Sequence, residues 1–350
     1  ERWNEIVESG IYQRGAASTQ PAISTLTTSS WTGWFNYPWA MAAVAIRPVK
    51  PGIGDMVWID LNRDGIQDSG EPGLPDVTVE LLQDGDTLIP QINTDAKGNY
   101  FFKGIPGGDY TLKFSHPTID LAFTPQDQGS EDTDSDVDSN GATSSFEYIV
   151  GTTDKNHDAG VWMPDNPPLT TTCGLDIALV IDSSSTENDL DIVKSAFQNF
   201  TSTLLPATPT RFTLIDYDTV ARVWNFASDH WDDAAIAEDG SYWSNDLTAI
   251  NEAISSMSND GFTNYDDALS DANALFDFDR VDNPDLIMFS TYNQPDHIDS
   301  DDVPASESEA MIGALQRAFY IKSEGIRILS LGIGHGFDHT NLTDISGPNI

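Results

Sequence analysis

At 350 residues, with 39% hydrophobic and 10% aromatic side chains, the chain has room for two or three domains with their own cores and is too apolar for a disordered acidic tail. Its 16 Lys+Arg stand against 56 Asp+Glu, a formal net charge of −40 that repels nucleic acid and anionic membranes and favours divalent counterions. One cysteine excludes a disulfide framework within the chain, and no apolar run is long enough for membrane insertion.

The start on Glu1, with no signal-peptide pattern behind it, leads us to expect a processed or truncated product. Residues 1–50 are rich in Ser, Thr, Ala and aromatics, with Trp31, Trp34, Phe35, Tyr37 and Trp39 close together. A strand is expected from Trp39 to the Arg47-Pro48 stop. The stretch is too short for a sandwich of its own and reads as the closing strands of an incomplete jelly-roll-like module. Its aromatic cluster keeps a carbohydrate-binding reading, with glycans as partners, as an alternative. Lys50-Pro51-Gly52 is a linker.

Residues 53–163 place short apolar runs between turn signals, the pattern of an all-β sandwich. The expected strands are Asp55–Ile59, Val77–Leu82, Gly98–Phe102, Tyr110–Phe114, Phe146–Val150 and Ala159–Trp162. Between the first two lies a loop whose oxygen-bearing side chains have the spacing of a twelve-residue calcium site. Asp60, Asn62 and Asp64 alternate inward, Gly65 permits the turn, Ile66 offers its carbonyl, and Asp68 and Glu71 follow at the ninth and twelfth places. An acidic surface turn is the bland alternative. A strand precedes the loop and Glu71-Pro72-Gly73 stops a helix from following, so the expectation is calcium (Ca2+) chemistry without EF-hand helices. The run from Glu131 to Asp138 is either a solvated acidic loop or a second calcium site, with Asp132, Asp134, Asp136 and Asp138 alternating like ligands. Asp95, in the turn before Tyr100, is a further candidate ligand.

This segment resembles the B-repeats of serine-aspartate surface adhesins (SdrD B-like). The resemblance is carried by Gly54-Asp-Met-Val-Trp-Ile-Asp-Leu-Asn-Arg-Asp-Gly, Glu71-Pro-Gly-Leu-Pro-Asp, Thr94-Asp-Ala-Lys-Gly-Asn-Tyr, Phe123-Thr-Pro-Gln-Asp and Asp134-Ser-Asp-Val-Asp. It implies a Cna-B- or prealbumin-like sandwich that calcium stiffens and that serves as a stalk, and it favours the calcium reading of the run at Asp132 to Asp138.

Residues 164–174, rich in Pro and Thr, read as a semi-rigid linker that ends near Cys173. From 175 to 350 strands and helices alternate, which predicts a doubly wound α/β domain. Strands are expected at Asp176–Ile181, Arg211–Tyr217, Leu286–Ser290 and Ile326–Ile333, and helices at Leu190–Leu205, Asp246–Met257, Asp266–Phe276 and Glu307–Ser323. Ligands of such folds sit beyond the carboxyl ends of the strands, where Asp182-Ser-Ser-Ser-Thr186 falls. The segment resembles a von Willebrand factor A domain, whose metal-ion-dependent adhesion site (MIDAS) uses an Asp-x-Ser-x-Ser loop, a later threonine and a later aspartate. Asp182 and Ser184 match, Thr186 keeps a hydroxyl at the third place, and Thr263 matches the threonine, whereas Tyr292 stands where the aspartate belongs, with Asp296 nearby. The resemblance implies a magnesium (Mg2+) ion with a position open to a partner's carboxylate. A site kept for the fold alone is the alternative.

His335 and His339 lack the helix and further ligands of a zinc pair, and no nucleophile elbow surrounds Ser183 to Ser185, so no enzyme is expected. Asn199 and Asn341 begin glycosylation sequons. Together these features predict an extracellular, non-catalytic adhesin, secreted or at the cell surface, whose partners are other extracellular proteins or copies of itself. The alternative is a filament subunit whose protomers complete each other's truncated domains.

Overall fold

The computed structural model of the chain describes residues 2–8, 11–17, 51–87, 90–169, 174–184, 186–232, 241–259, 261–276, 283–298 and 303–347. It divides into two compact units, Glu1–Pro48 and Val49–Ile350. In the first, strands Arg2–Glu8 and Ile11–Ala17 form an antiparallel hairpin with Glu8 opposite Ile11 and Arg2 opposite Ala17. The Trp31–Trp39 cluster, the strand expected after Trp39, and Cys173 lie outside the described residues.

The sandwich opens the second unit. Thr78–Gln83 pairs with Gly108–Ser115, which pairs in turn with Phe146–Tyr148, all antiparallel. Alternation decides which faces are buried: Val79 and Leu81 from one strand, and Tyr110, Leu112 and Phe114 from the next, point into the core. Val57–Asp60 runs parallel to Ala159–Trp162 and contributes Val57, Trp58 and Ile59, each fully buried. Each such apolar side chain contributes about 1.5–3 kcal/mol by leaving water. The strand expected over Gly98–Phe102 shrinks to Phe102–Lys103. The cause is local: Asp95 accepts the N–H groups of Lys97 and Asn99 at 2.9 Å, and this closed turn holds Gly98 at φ +77.

The α/β domain is a six-stranded sheet in the order His230–Asp232, Ala221–Asn225, Arg211–Tyr217, Asp176–Asp182, Asp285–Asn293, Arg327–Gly336. The last four strands are parallel and the first two form an antiparallel edge. Every residue of Asp176–Asp182 is buried, because helices cover both faces. Ile177, Leu179 and Ile181 pack with α1 (Glu187–Leu204) and α2 (Leu247–Ser256), while Ala178 and Val180 pack with α3 (Tyr265–Phe276) and α4 (Glu307–Ser323). A short α5 (His339–Ser346), capped by Asp338, follows the last strand.

Sandwich and sheet are joined by direct bonds. Tyr320 on α4 donates its hydroxyl to Pro75 O at 2.9 Å, and Gln316 donates to Gly73 O at 2.6 Å and Ala96 O at 3.1 Å. The first half of the Pro-rich stretch is pinned. Asn166 exchanges hydrogen bonds with both backbone groups of Ile328, and Arg327 donates to Pro167 O at 2.9 Å.

Candidate functional site

The Asp60–Glu71 loop begins where Val57–Asp60 ends, so its first carboxylate is fully buried. Asp60 accepts the N–H groups of Arg63 at 2.5 Å and Gly65 at 2.9 Å. Gly65 sits at φ +80, and a Cβ there would stand 2.3 Å from Pro125 O, so the position admits only glycine. Asn62 is central: its amide nitrogen lies 3.1 Å from an Asp64 oxygen and 2.9 Å from an Asp68 oxygen. Glu71 closes the loop by accepting from Leu61 N at 2.8 Å and Asp68 N at 2.9 Å. Burial, opposed by those two N–H groups, pushes the Glu71 carboxyl up to about 7. Among the described residues no three His, Cys, Asp or Glu side chains stand together as a ready metal group. The loop's donor set is nevertheless all oxygen apart from the Asn62 amide nitrogen, and turning that amide would make it oxygen throughout, as calcium requires.

The four aspartates of the second run are separated. Asp134 packs against the first loop through the Ile66–Asp134 bridge, and one of its oxygens is buried without a hydrogen-bond partner. Asp136 accepts Asp158 N at 2.7 Å, and Asp158 accepts Met56 N at 3.1 Å. Burial pushes Asp136 up to about 7. Burial first, then the nearby Asp55 carboxylate, pushes Asp158 up to about 8. Asp132 acts electrostatically on Asp55. Asp138 instead caps its own turn, accepting Asn140 N at 2.8 Å and Ala142 N at 3.0 Å, and Asp95 does the same in the turn described above. Asp136 and Asp158 are thus linked by a direct hydrogen bond, with Asp55 acting electrostatically on Asp158, where one alternating run was expected. Asp55 and Asp158 escape a sequence reading because 102 positions separate Met56 from Asp158, and only the parallel pairing of their strands unites them.

The hydroxyl site lies at the carboxyl ends of the central strands. Asp182, 3% exposed, is held on both oxygens. One accepts the Ser184 N–H at 2.8 Å and the Ser184 hydroxyl at 2.5 Å. The other accepts the Thr291 hydroxyl at 2.9 Å and Tyr292 N at 2.7 Å. Burial raises the Asp182 pKa and these donors oppose the rise. The Ser184 and Thr263 hydroxyls are 2.8 Å apart. Thr186 faces elsewhere, as the N-cap of α1, with its hydroxyl on Asp189. Tyr292 contributes its backbone N–H, and its half-buried phenol is bonded to Asp189. The residue that reaches the hydroxyls is Asn293, whose amide nitrogen is 3.2 Å from Ser184 Oγ. Asp296 lies on the other side of Thr263 and accepts its N–H at 2.8 Å. One carboxylate with hydroxyls is a hard, weakly charged oxygen set, which fits magnesium better than zinc or calcium.

Both sequon asparagines stand on helices. Asn199 is exposed on α1 but its Thr201 is fully buried, and Asn341 on α5 donates to Glu307 at 3.0 Å. His335 and His339 are both exposed. No helix among the described residues is long and apolar enough to cross a membrane.

Curated relatives match part of the chain. Serine-aspartate repeat-containing protein F of Staphylococcus epidermidis is 38% identical over 115 residues, covering 33% of this chain and 7% of that protein. Bone sialoprotein-binding protein of Staphylococcus aureus is 43% identical over 94 residues, 27% of this chain and 8% of its own length. The chain therefore spans less than a tenth of these relatives. Among solved structures, the von Willebrand factor domain of the type V pili tip protein Mfa5 from Porphyromonas gingivalis is similar at 14% identity and TM-score 0.37, over 51% of this chain and 88% of that one. Over residues 51–161 the chain matches the SdrD B-like domain family.

Proposed function

We propose that the chain is a non-catalytic extracellular surface protein of adhesin type, in which the B-like sandwich is a calcium-stiffened spacer and the α/β domain a von Willebrand factor A interaction head. The observation that carries the reading is Asp182, a buried carboxylate that fixes the Ser184 hydroxyl beside that of Thr263 at the carboxyl edge of the sheet. Held there, magnesium binds Asp182, Ser184 and Thr263 and keeps positions open for a partner's carboxylate. Thr186 stands aside as a helix cap. Tyr292 stands where the family places an aspartate and Asn293 brings only a neutral amide to the Ser184 hydroxyl, so the ion is held more weakly than by a charged set.

Calcium belongs to the spacer. Asp60, Asn62, Asp64, Ile66, Asp68 and Glu71 hold one ion, and the orphaned Asp134 oxygen supports an added ligand beside them. Asp55, Asp132, Asp136 and Asp158 hold a second, which relieves the burial of carboxylates that otherwise take up protons near neutrality. The bonds from α4 to Gly73 and Pro75 pass this stiffness to the head. Partners are other extracellular proteins or further copies of this chain. One relative named for binding bone sialoprotein agrees with the first.

The test is calorimetric titration of magnesium into the calcium-loaded chain and its Asp182→Ala variant. Saturable binding to the parent alone supports the head. Equal binding to both, or none, overturns it, and ordered end-to-end assembly without added partner would favour the filament reading.

A further inference from the structure

At the corner where α4 rests on the sandwich, a histidine does the work of a turn acceptor. Thr78 and Ser115 face each other on paired strands, and the chain turns at the next residue, His116, on which the Asp76 carboxylate acts electrostatically. The His116 ring accepts on Nδ1 the N–H groups of Ile119 at 3.2 Å and Thr118 at 3.4 Å. An aspartate or asparagine commonly fills this role in a turn. An imidazole fills it only while Nδ1 carries no proton and Nε2 does. The turn brings Ile119 back onto the sandwich core. The same ring meets that of Tyr320 on α4, with centroids 5.9 Å apart, and the Tyr320 hydroxyl holds Pro75 O at 2.9 Å. One imidazole thus closes a turn of the sandwich and backs the side chain that ties α4 to it.

Protonation reverses the first of those roles. An imidazolium donates from both nitrogens, so Nδ1–H would point at two N–H groups and the turn would lose both bonds. Burial pulls the His116 pKa below its usual 6.5, and Asp76 opposes that pull. The neutral ring therefore contributes its full stability above 6.5, and this is lost as pH falls through the lower folded value. Of the other groups at the corner, burial pushes the Tyr320 phenol up to about 12, and Arg317 is paired with Asp266 at 2.9 Å. A displaced ring has somewhere to go. A 350 Å3 cavity opens between Pro75, Asp76 and Ala96 on the sandwich and Asp266, Gln316 and Tyr320 on the helices. Its wall carries the Asp76 carboxylate, a natural partner for an imidazolium.

We propose that His116 is a proton-operated latch on the joint between sandwich and head: neutral, it keeps the 116–119 turn closed beside Tyr320, and in mild acid it swings toward Asp76 and loosens the seat of α4. The latch depends on neither metal site.

The experiment uses the whole chain with saturating calcium, which holds the acidic loops constant, between about pH 7.5 and about pH 5.5. His116→Asn keeps a side-chain acceptor for the two N–H groups and removes the titrating ring. Hydrogen exchange read by mass spectrometry and corrected for its intrinsic pH dependence should rise roughly tenfold in the parent as pH falls, over residues 115–119 and over α4, from the loss of two hydrogen bonds. In His116→Asn it should stay level. A rise of the same size in both chains, or in neither, overturns the proposal. So does a rise confined to residues 115–119, which would make the turn sensitive and leave the joint untouched. NMR of the His116 ring in the parent checks the same claim without any variant. The Nε2–H tautomer and a pKa below 6.5 are expected, and an Nδ1–H tautomer or a pKa at or above 6.5 refutes the latch.

Discussion

Removing calcium should make the stability of the sandwich fall as pH rises. In the ion-free fold, burial lifts Asp158 from 3.8 to about 8, with Asp55 adding repulsion. A carboxyl whose folded pKa is raised takes up a proton more readily in the fold than in the unfolded chain. Its contribution is therefore full below the unfolded value of 3.8 and is lost as pH climbs through the folded value of about 8. Roughly four pH units at about 1.4 kcal/mol each give about 6 kcal/mol, and Asp158 is 1% exposed, so solvent screens little of it. Asp136 bonds directly to the Asp158 backbone and shares the same burial, so the two count as one energy and not as two. Between pH 5 and pH 8.5 the chelated protein crosses about three of those units, about 4 kcal/mol, so at about 4 °C per kcal/mol the sandwich transition should drop by about 15 °C. Calcium, which favours the charged carboxylates, should remove most of that drop. Differential scanning calorimetry with chelator and with excess calcium reads both curves. Asp158→Asn, which keeps an oxygen for Met56 N and loses the charge, should flatten the chelated curve. A chelated melting temperature that is constant or rises over this range refutes the reasoning.

Four further outcomes follow from the geometry. Lys322 on α4 is 4% exposed with no hydrogen-bond partner for its ammonium, and burial pushes its pKa down to about 8. Lys322→Met should therefore stabilise the α/β domain by up to about 3 kcal/mol at pH 7, and the parent should gain stability as pH rises from 8 toward 10.5, both read by urea unfolding. Gly65→Ala should cost at least about 1–2 kcal/mol and weaken calcium uptake, because φ +80 and the Pro125 carbonyl both exclude a side chain. Asn166→Ala removes both bonds to Ile328 and should cost about 1–3 kcal/mol, seen as faster limited proteolysis near residues 164–174. Tyr320→Phe should cost about 0.5–1.5 kcal/mol and separate the calorimetric transitions of sandwich and sheet.

What could be read from the sequence was what repeats locally. Asp176–Asp182 shows itself as an unbroken apolar run because both its faces are covered, and Gly108–Ser115 shows itself by alternation. The edge hairpin of Ala221–Asn225 with His230–Asp232 has neither signal, and α5 is a single short amphipathic stretch after a strand. In the candidate site, Asp182, Ser184 and Thr263 follow a spacing and do come together, while Thr186 does not, since a hydroxyl directly before a helix is better used as its cap. Asn293 carries no sequence signal, because the family's carboxylate position falls one residue earlier, at Tyr292. Glu307 carries no pattern of its own, and only the fold brings α4 beside the loop before α3.

The claim beneath this account is that the acidic surplus is organised around bound divalent metal in the 51–161 segment. Native mass spectrometry of the intact chain, exchanged into volatile buffer with trace calcium, counts those ions directly. Calcium should be retained on the parent and on Asp182→Ala, with at least one ion lost from a variant carrying Asp60→Asn and Asp64→Asn. A parent chain that keeps no calcium, or a double variant that keeps as much as the parent, would contradict it.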